Sequence, residues 1–118
     1  MRKPPVEAAP EVELLVGDGE LDPQGMAAAH ITVPPGGGMP EHDHGDSGVL
    51  LAVRRGRIVI NSGGNDVALP AGALAVVGVG ERVSLRNPEA DPASVLAFFS
   101  PPAFAATVTS WPAVRASE

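Results

Sequence analysis

The sequence predicts an all-β barrel, and three observations carry that expectation. Short apolar runs recur along the chain at roughly the 8 to 12 residue spacing usual for sandwiches and barrels. No window between Glu11 and Ser100 places apolar residues at helical intervals with caps at both ends. The 14 Gly and 13 Pro of the 118 residues do not cluster beyond the N-terminus but fall between the runs, where turn residues belong. With 44% apolar residues in a chain of this length, one packed core is expected rather than two.

Residues 1–10, MRKPPVEAAP, are rich in Pro, Ala and charge and have no apolar periodicity, which predicts a flexible arm or one that reaches to a second subunit. A single domain then spans residues 11–118. Its strands are predicted at Val12 to Val16, Met26 to Val33, Val49 to Val53, Arg57 to Asn61, Asp66 to Leu69, Leu74 to Val77, Arg82 to Asn87 and Val95 to Phe99. Between them lie GDGE, PPGGG, RRG, NSGGN, PAG, GVGE and NPEADP, in which Gly supplies positive φ and Pro fixes φ near ~−65°. After Ser100, Phe104 and Trp111 stand seven apart, but Val108 and two Thr weaken a helix, so a short packed tail is expected. Phe98, Phe99, Phe104 and Trp111 read as core and tail packing, and Met26 and Met39 as fillers near a pocket mouth.

A formal charge of −6 and a pI near 4.9 argue against a nucleic-acid partner, whose phosphates are held by Lys and Arg. The one basic cluster, Arg54, Arg55 and Arg57 around Gly56, reads as the solvated tip of a hairpin that also blunts a sheet edge. Without cysteine there is no disulfide, thiolate metal site or thiol nucleophile. The N-terminus lacks the apolar stretch of a secretory signal, and no run approaches the ~20 apolar residues of a membrane helix, so a cytoplasmic protein without a membrane partner is expected. G-x-S-x-G, P-loop and dinucleotide fingerprints are absent.

Chemistry concentrates in GGGMPEHDHGDSGVLL. His42 and His44 flank Asp43, so in an extended segment both imidazoles face one side, an arrangement suited to Zn, Fe, Mn, Ni or Cu. Two histidines at this spacing also fit a solvated acidic turn with Glu41, Asp43 and Asp46. The surrounding pattern discriminates. The stretch from Gly38 to Gly56 resembles the first signature of the cupin superfamily, G-x(5)-H-x-H-x(3,4)-E-x(6)-G, in His42, His44, the preceding Pro/Gly run and the closing Gly56, with Gly36 at the strict position of the opening glycine. Residues 64–87 resemble the second, G-x(5)-P-x-G-x(2)-H-x(3)-N, in Gly64, Pro70, Gly72 and Asn87, with a longer connection after Gly72.

The resemblance implies a double-stranded β-helix, or jelly-roll, barrel, and the same counts expose two departures. Back from Gly56 the glutamate position holds Val49, and back from Asn87 the third histidine position holds Val83. Two of the family's four usual metal ligands are therefore aliphatic. Strand phase puts Val49, Leu51 and Val53 on one face, and Val83 and Leu85 on one face; the resemblance then implies a barrel cavity lined by aliphatic side chains, with two histidines projecting into it. A third ligand is sought in His30, Asp46 or Glu81, with Glu41 a further oxygen donor; His30 reads equally as a barrel-wall residue bonded to its neighbours, and Glu81 as a solvated turn residue.

The leading expectation is a small-molecule-binding barrel whose reduced two-histidine site holds a divalent transition metal weakly and below one ion per chain. The alternatives are a metal-dependent dioxygenase or isomerase of a small organic substrate, and a metal-free structural or interaction barrel. Without metal, the pair is expected to act as general acid and base near neutral pH. A homodimer joined through sheet edges is expected, because two sheets leave edge strands to cover.

Overall fold

The computed structural model describes residues 2–16, 25–101 and 103–112. In chain order its elements are β1 (Glu11–Val16), β2 (Ala27–Val33), β3 (Gly38–His42), β4 (Gly48–Arg55), β5 (Arg57–Ser62), β6 (Asn65–Pro70), β7 (Leu74–Val77), β8 (Val83–Arg86), β9 (Ala93–Ser100) and α1 (Phe104–Thr109). Each predicted apolar run forms a strand. All pairings are antiparallel, in a five-stranded sheet β1-β2-β9-β4-β7 and a four-stranded sheet β3-β8-β5-β6.

Alternation along the strands builds the core between these sheets. On β9, Ala93, Val95, Ala97 and Phe99 are buried; on β4, Val49, Leu51 and Val53; on β2, Ala27, Ala29 and Val33. Ile58, Ile60 and Leu69 of the smaller sheet, with Val83 of β8, meet them. The three arginines mark a corner rather than a hairpin, since β4 and β5 belong to different sheets. Gly56 turns that corner at φ +74°, and a Cβ there would lie 3.3 Å from Ala93 Cα, so both conformation and space favour glycine.

Three features depart from the sequence reading. β3 escaped notice because Pro40 interrupts it; the strand is an edge of its sheet, where a missing N–H is tolerated. The segment after Ser100 is packed, as expected, but against the expectation it includes a helix, α1, which has no side-chain cap and no charge suited to either end. Packing holds it: Ser47, fully buried, donates from Oγ to Pro101 O at 2.5 Å and accepts from Phe104 N at 3.0 Å. Residues 2–10, read from composition as a flexible arm, lie against the barrel of their own chain. Arg2 exchanges two backbone hydrogen bonds with Val12 (2.7 and 2.6 Å), and Gly38 N donates to Ala8 O at 3.2 Å. The segment thereby lines the outer edges of β1 and β3, one from each sheet.

Candidate functional site

The barrel encloses a cavity between its sheets, closed at one end by α1 and the start of β1. Val49, Leu51, Val83 and Leu85 line it with His42 and His44; Val53, though buried, lies outside the lining. Phe104, Val108 and Trp111 from the C-terminal segment complete it, with Pro10, Ile31, Met39 and Phe99 among the other walls. The cavity has a volume of about 60 Å³. At ~30 Å³ per water it has room for roughly two waters or a correspondingly small molecule.

A bulge brings His42 inward. In a regular strand Met39 and His42, three apart, would face opposite sides, yet both line the cavity. The register explains this: Met39 pairs with Leu85 and His42 with Val83, so β3 carries one more residue than β8 between those pairs. Just beyond, Asp43 accepts from Gly45 N at 2.9 Å, forming the turn that swings His44 back to its neighbour. Arg82 pairs with Glu41 at 2.9 Å and Asp43 at 3.4 Å, the residues on either side of His42. These pairs are exposed and add little stability, but they fix the strand end.

The two imidazoles meet Nε2 to Nε2 at 3.2 Å, and their partners determine where the protons lie. His42 Nδ1 is 2.8 Å from Pro40 O, and a carbonyl only accepts, so Nδ1 carries the proton. In the neutral ring His42 Nε2 is then an acceptor. The shared proton must come from His44 Nε2, which leaves His44 Nδ1 a bare acceptor; that atom is buried and has no hydrogen-bond partner. Burial, and secondarily the neighbouring His42, depresses the His44 pKa from 6.5 to about 4, with Asp43 opposing. His44 is thus neutral at pH 7, which corrects the expectation that it titrates near neutrality.

A stability prediction follows from that depressed pKa. Between pH 6.5 and 4 the unfolded chain binds a proton at His44 that the folded chain refuses, so stability is full above 6.5 and falls as the pH drops. The expected loss from this group between pH 7 and pH 5 is about 2 kcal/mol. Urea midpoints at the two pH values measure it, and His44→Gln should remove that part of the slope; an unchanged slope in the variant would disprove the assignment.

The residues offered as a third ligand are not gathered here. His30 lies on the outward face of β2, opposite in phase to the buried Ala29, and is 2.6 Å from Ser94 Oγ through Nε2. Glu81 accepts from Ser62 Oγ at 2.6 Å and Gly78 N at 2.9 Å in the turn before β8; these bonds, the Ser62 hydroxyl foremost, hold its carboxyl below the usual range. Asp46 is exposed and borders an outer groove with Asp43, His44 and Thr107, not the cavity. Glu41 is committed to Arg82.

The Nε2 separation matches two ligands of one ion, which stand ~3.0–3.4 Å apart when each metal bond is ~2.1 Å. His42 also has the outer partner that a ligating histidine needs, in Pro40 O; His44 has none, because coordination through Nε2 would leave a buried Nδ1–H with nothing to receive it. Among the described residues no group of three or more His, Cys, Asp or Glu is placed to hold a metal. The residues present therefore do not fit a closed metal centre.

Sequence reasoning had no purchase on the part α1 plays. Phe104 packs edge-on to His44 with ring centroids 4.8 Å apart, and Trp111 stands 6.1 Å beyond Phe104. The seven-residue spacing of the two aromatics was the available signal, and it did not reveal which element they would close.

A two-sheet antiparallel barrel with paired histidines at the cavity wall defines a cupin-type barrel. The chain belongs to the cupin family: the family model described as "Cupin domain" matches residues 29–99, more than half of it. No curated protein sequence matches it. Among solved structures it is similar to a predicted oxalate decarboxylase from Thermotoga maritima (TM-score 0.70, 23% identity, 78% of this chain and 80% of that one). A Cupin 2 conserved barrel domain protein from Salinispora arenicola gives 0.68 at 19% identity, covering 86% and 83%. KdgF from Halomonas sp. gives 0.67 at 17%, covering 78% of each chain. At these identities the likeness concerns the fold. Among the described residues no helix is long and apolar enough to cross a membrane.

Proposed function

We propose that this protein binds a small, largely apolar organic molecule inside the barrel, with one polar group of the ligand directed to the His42 and His44 pair. One observation carries the reading: the histidines face a cavity whose ligand positions are Val49 and Val83, so its walls offer aliphatic contact. A site built in this way gains affinity from apolar burial and orientation from a few polar atoms. The small interior favours compact ligands. A divalent transition metal is held only weakly, by the two imidazoles with water.

The test compares untagged protein with a His42→Ala, His44→Ala double variant, by metal analysis and by thermal-shift screening of small carboxylates, oxo acids and aromatics. We expect well under one metal per chain in both, and a compact ligand that raises Tm in the wild type more than in the variant. Near-stoichiometric metal lost in the variant would overturn this reading in favour of a metal-dependent oxidoreductase or isomerase. Absence of any stabilising ligand would leave the metal-free interaction barrel as the better description.

A further inference from the structure

The closed cavity is small for an organic ligand. Its volume is about 60 Å³, whereas a ring the size of benzene takes ~150 Å³, so a wall must move when such a molecule enters. The strand walls resist this. Ile31, Leu51, Ala97, Ile60 and Val83 belong to β2, β4, β9, β5 and β8, each hydrogen-bonded to a neighbour on both edges, and shifting any one of them breaks two backbone ladders. The wall formed by Phe104, Val108 and Trp111 is attached differently. Side-chain packing and a few hydrogen bonds at its two ends join it to the barrel.

We propose, resting on the ligand-binding role above, that α1 and Trp111 form a lid over the cavity, hinged where the chain leaves β9 and latched at its far end by the N-terminal segment. Ser47 fixes the hinge, since its Oγ donates to Pro101 O and accepts from Phe104 N. The latch comes from the opposite end of the chain. Arg2 donates from Nη1 to Trp111 O at 3.0 Å, and Lys3 N donates to Pro112 O at 3.0 Å. Arg2 is itself held by its paired backbone bonds with Val12 in β1. Between hinge and latch, α1 has six residues and no cap, so its contacts with the barrel keep it in place and its own helical stability adds little.

Two opposing effects act on the lid. Closure buries Val108 to 1% exposure and sets the Phe104 ring 4.8 Å from that of His44 and 5.4 Å from that of Phe99, which favours the closed state. The same closure covers His44, whose Nδ1 is the one buried side-chain polar atom without a hydrogen-bond partner among the described residues. Ala103, Phe104 and Thr107 share an outer groove with His44, which also lines the cavity, so the imidazole stands between the interior and the surface with α1 beside it. Lifting Phe104 opens His44 to water or to an N–H or O–H of an entering ligand, and the orphaned acceptor gains a partner.

Hydrogen exchange of the full chain, followed by NMR, tests the lid without any ligand. The amides of Ser110 and Trp111 donate to Thr107 O and Val108 O, and they should exchange at least about 100-fold faster than those of Leu51 and Ala97 in β4 and β9, because they open locally. Arg2→Ala should speed Ser110 and Trp111 a further ~10-fold, the worth of one charge-assisted hydrogen bond, and leave Leu51 and Ala97 unchanged. Arg54→Ala, at the end of β4 remote from Ser100, should alter none of them. Trp111 is the one tryptophan and there is no tyrosine, so its emission reports the same motion; acrylamide should quench it at least about two-fold more efficiently in Arg2→Ala. Circular dichroism verifies the fold; should Arg2→Ala misfold, Arg2→Met keeps the aliphatic stem and removes the donors. Exchange of Ser110 and Trp111 as slow as that of the central strands, or equal acceleration of all four amides in Arg2→Ala, would overturn the lid. Since neither measurement uses a ligand, a failed lid leaves the ligand screen standing, and a barrel that binds nothing still has its lid tested.

Discussion

Replacing the two aliphatic ligand positions, Val49→Glu with Val83→His, should convert the cavity into a tight metal site, and this is the largest gain we expect. Val83 lies directly opposite His42 in the β3 and β8 register, and Val49 faces the same cavity from the other sheet. With His42 and His44 the variant would present four ligands, where structural and catalytic zinc sites use three or four from protein. Affinity for Zn²⁺ or Ni²⁺ should rise at least about 100-fold, adding ~2.7 kcal/mol of stability when free metal exceeds Kd by 100-fold. Metal-free, the same variant should be several kcal/mol less stable than the wild type, because a carboxyl buried among aliphatic side chains lacks partners.

Titration calorimetry and melting in chelator against added Zn²⁺ read both effects. The combination is diagnostic, since a variant that merely misfolds would lose stability without regaining it on metal addition. Unchanged affinity in a folded variant would mean that these positions do not converge with the histidines.

Asn87→Ala should produce the largest loss among polar substitutions. Asn87 is 1% exposed, and its side chain makes three hydrogen bonds: Nδ2 donates to Val33 O (3.1 Å) and Asp91 O (2.8 Å), and Oδ1 accepts from Glu89 N (2.9 Å). Its backbone N donates to Gly37 O at 2.8 Å and its O accepts from Gly36 N at 3.0 Å. One residue therefore ties the end of β2, the loop before β3 and the turn into β9. Truncation leaves the buried Val33 carbonyl, and the half-buried Asp91 carbonyl and Glu89 N–H, without their partner, which should cost about 2–4 kcal/mol. For a domain of this size Tm should fall by ~10 °C or more.

Asn87→Asp separates the contributions, because it keeps the acceptor for Glu89 N and turns both donations into repulsions, so it should be no more stable than the alanine variant. Urea denaturation measures both. A loss below ~1 kcal/mol for Asn87→Ala would show that water replaces the side chain.

These two expectations use the same signature residues in different ways. Asn87 was legible in the sequence as a position of the second signature, but the spacing does not say that its amide is a clamp between loops. Val49 and Val83 were legible as departures from the signatures; that both face one cavity depends on how the two sheets meet. The histidine pair was legible as a pair. That His42 requires a bulge to face inward was not, because Pro40 conceals β3 and a bulge is a property of two strands, not one.

His30, Asp46 and Glu81 were candidates because sequence lists the residue types able to bind metal without saying which side of a strand or turn they occupy. His30 shares a strand with the cavity-lining Ile31 and differs only in phase, which the pairing with β9 decides.

The sequence by itself determined the all-β class, eight of the strands and the departure of Val49 and Val83 from the two signatures. These depend on local alternation, turn chemistry and spacing, all of which are encoded within a few residues. The tertiary structure decided which histidine nitrogen carries each proton, that α1 and its aromatics close the barrel, and that residues 2–10 lie along its edges. It also decided that His44 remains neutral. Those properties arise between segments distant in the chain, where burial and hydrogen-bond partners exist only after the sheets have met.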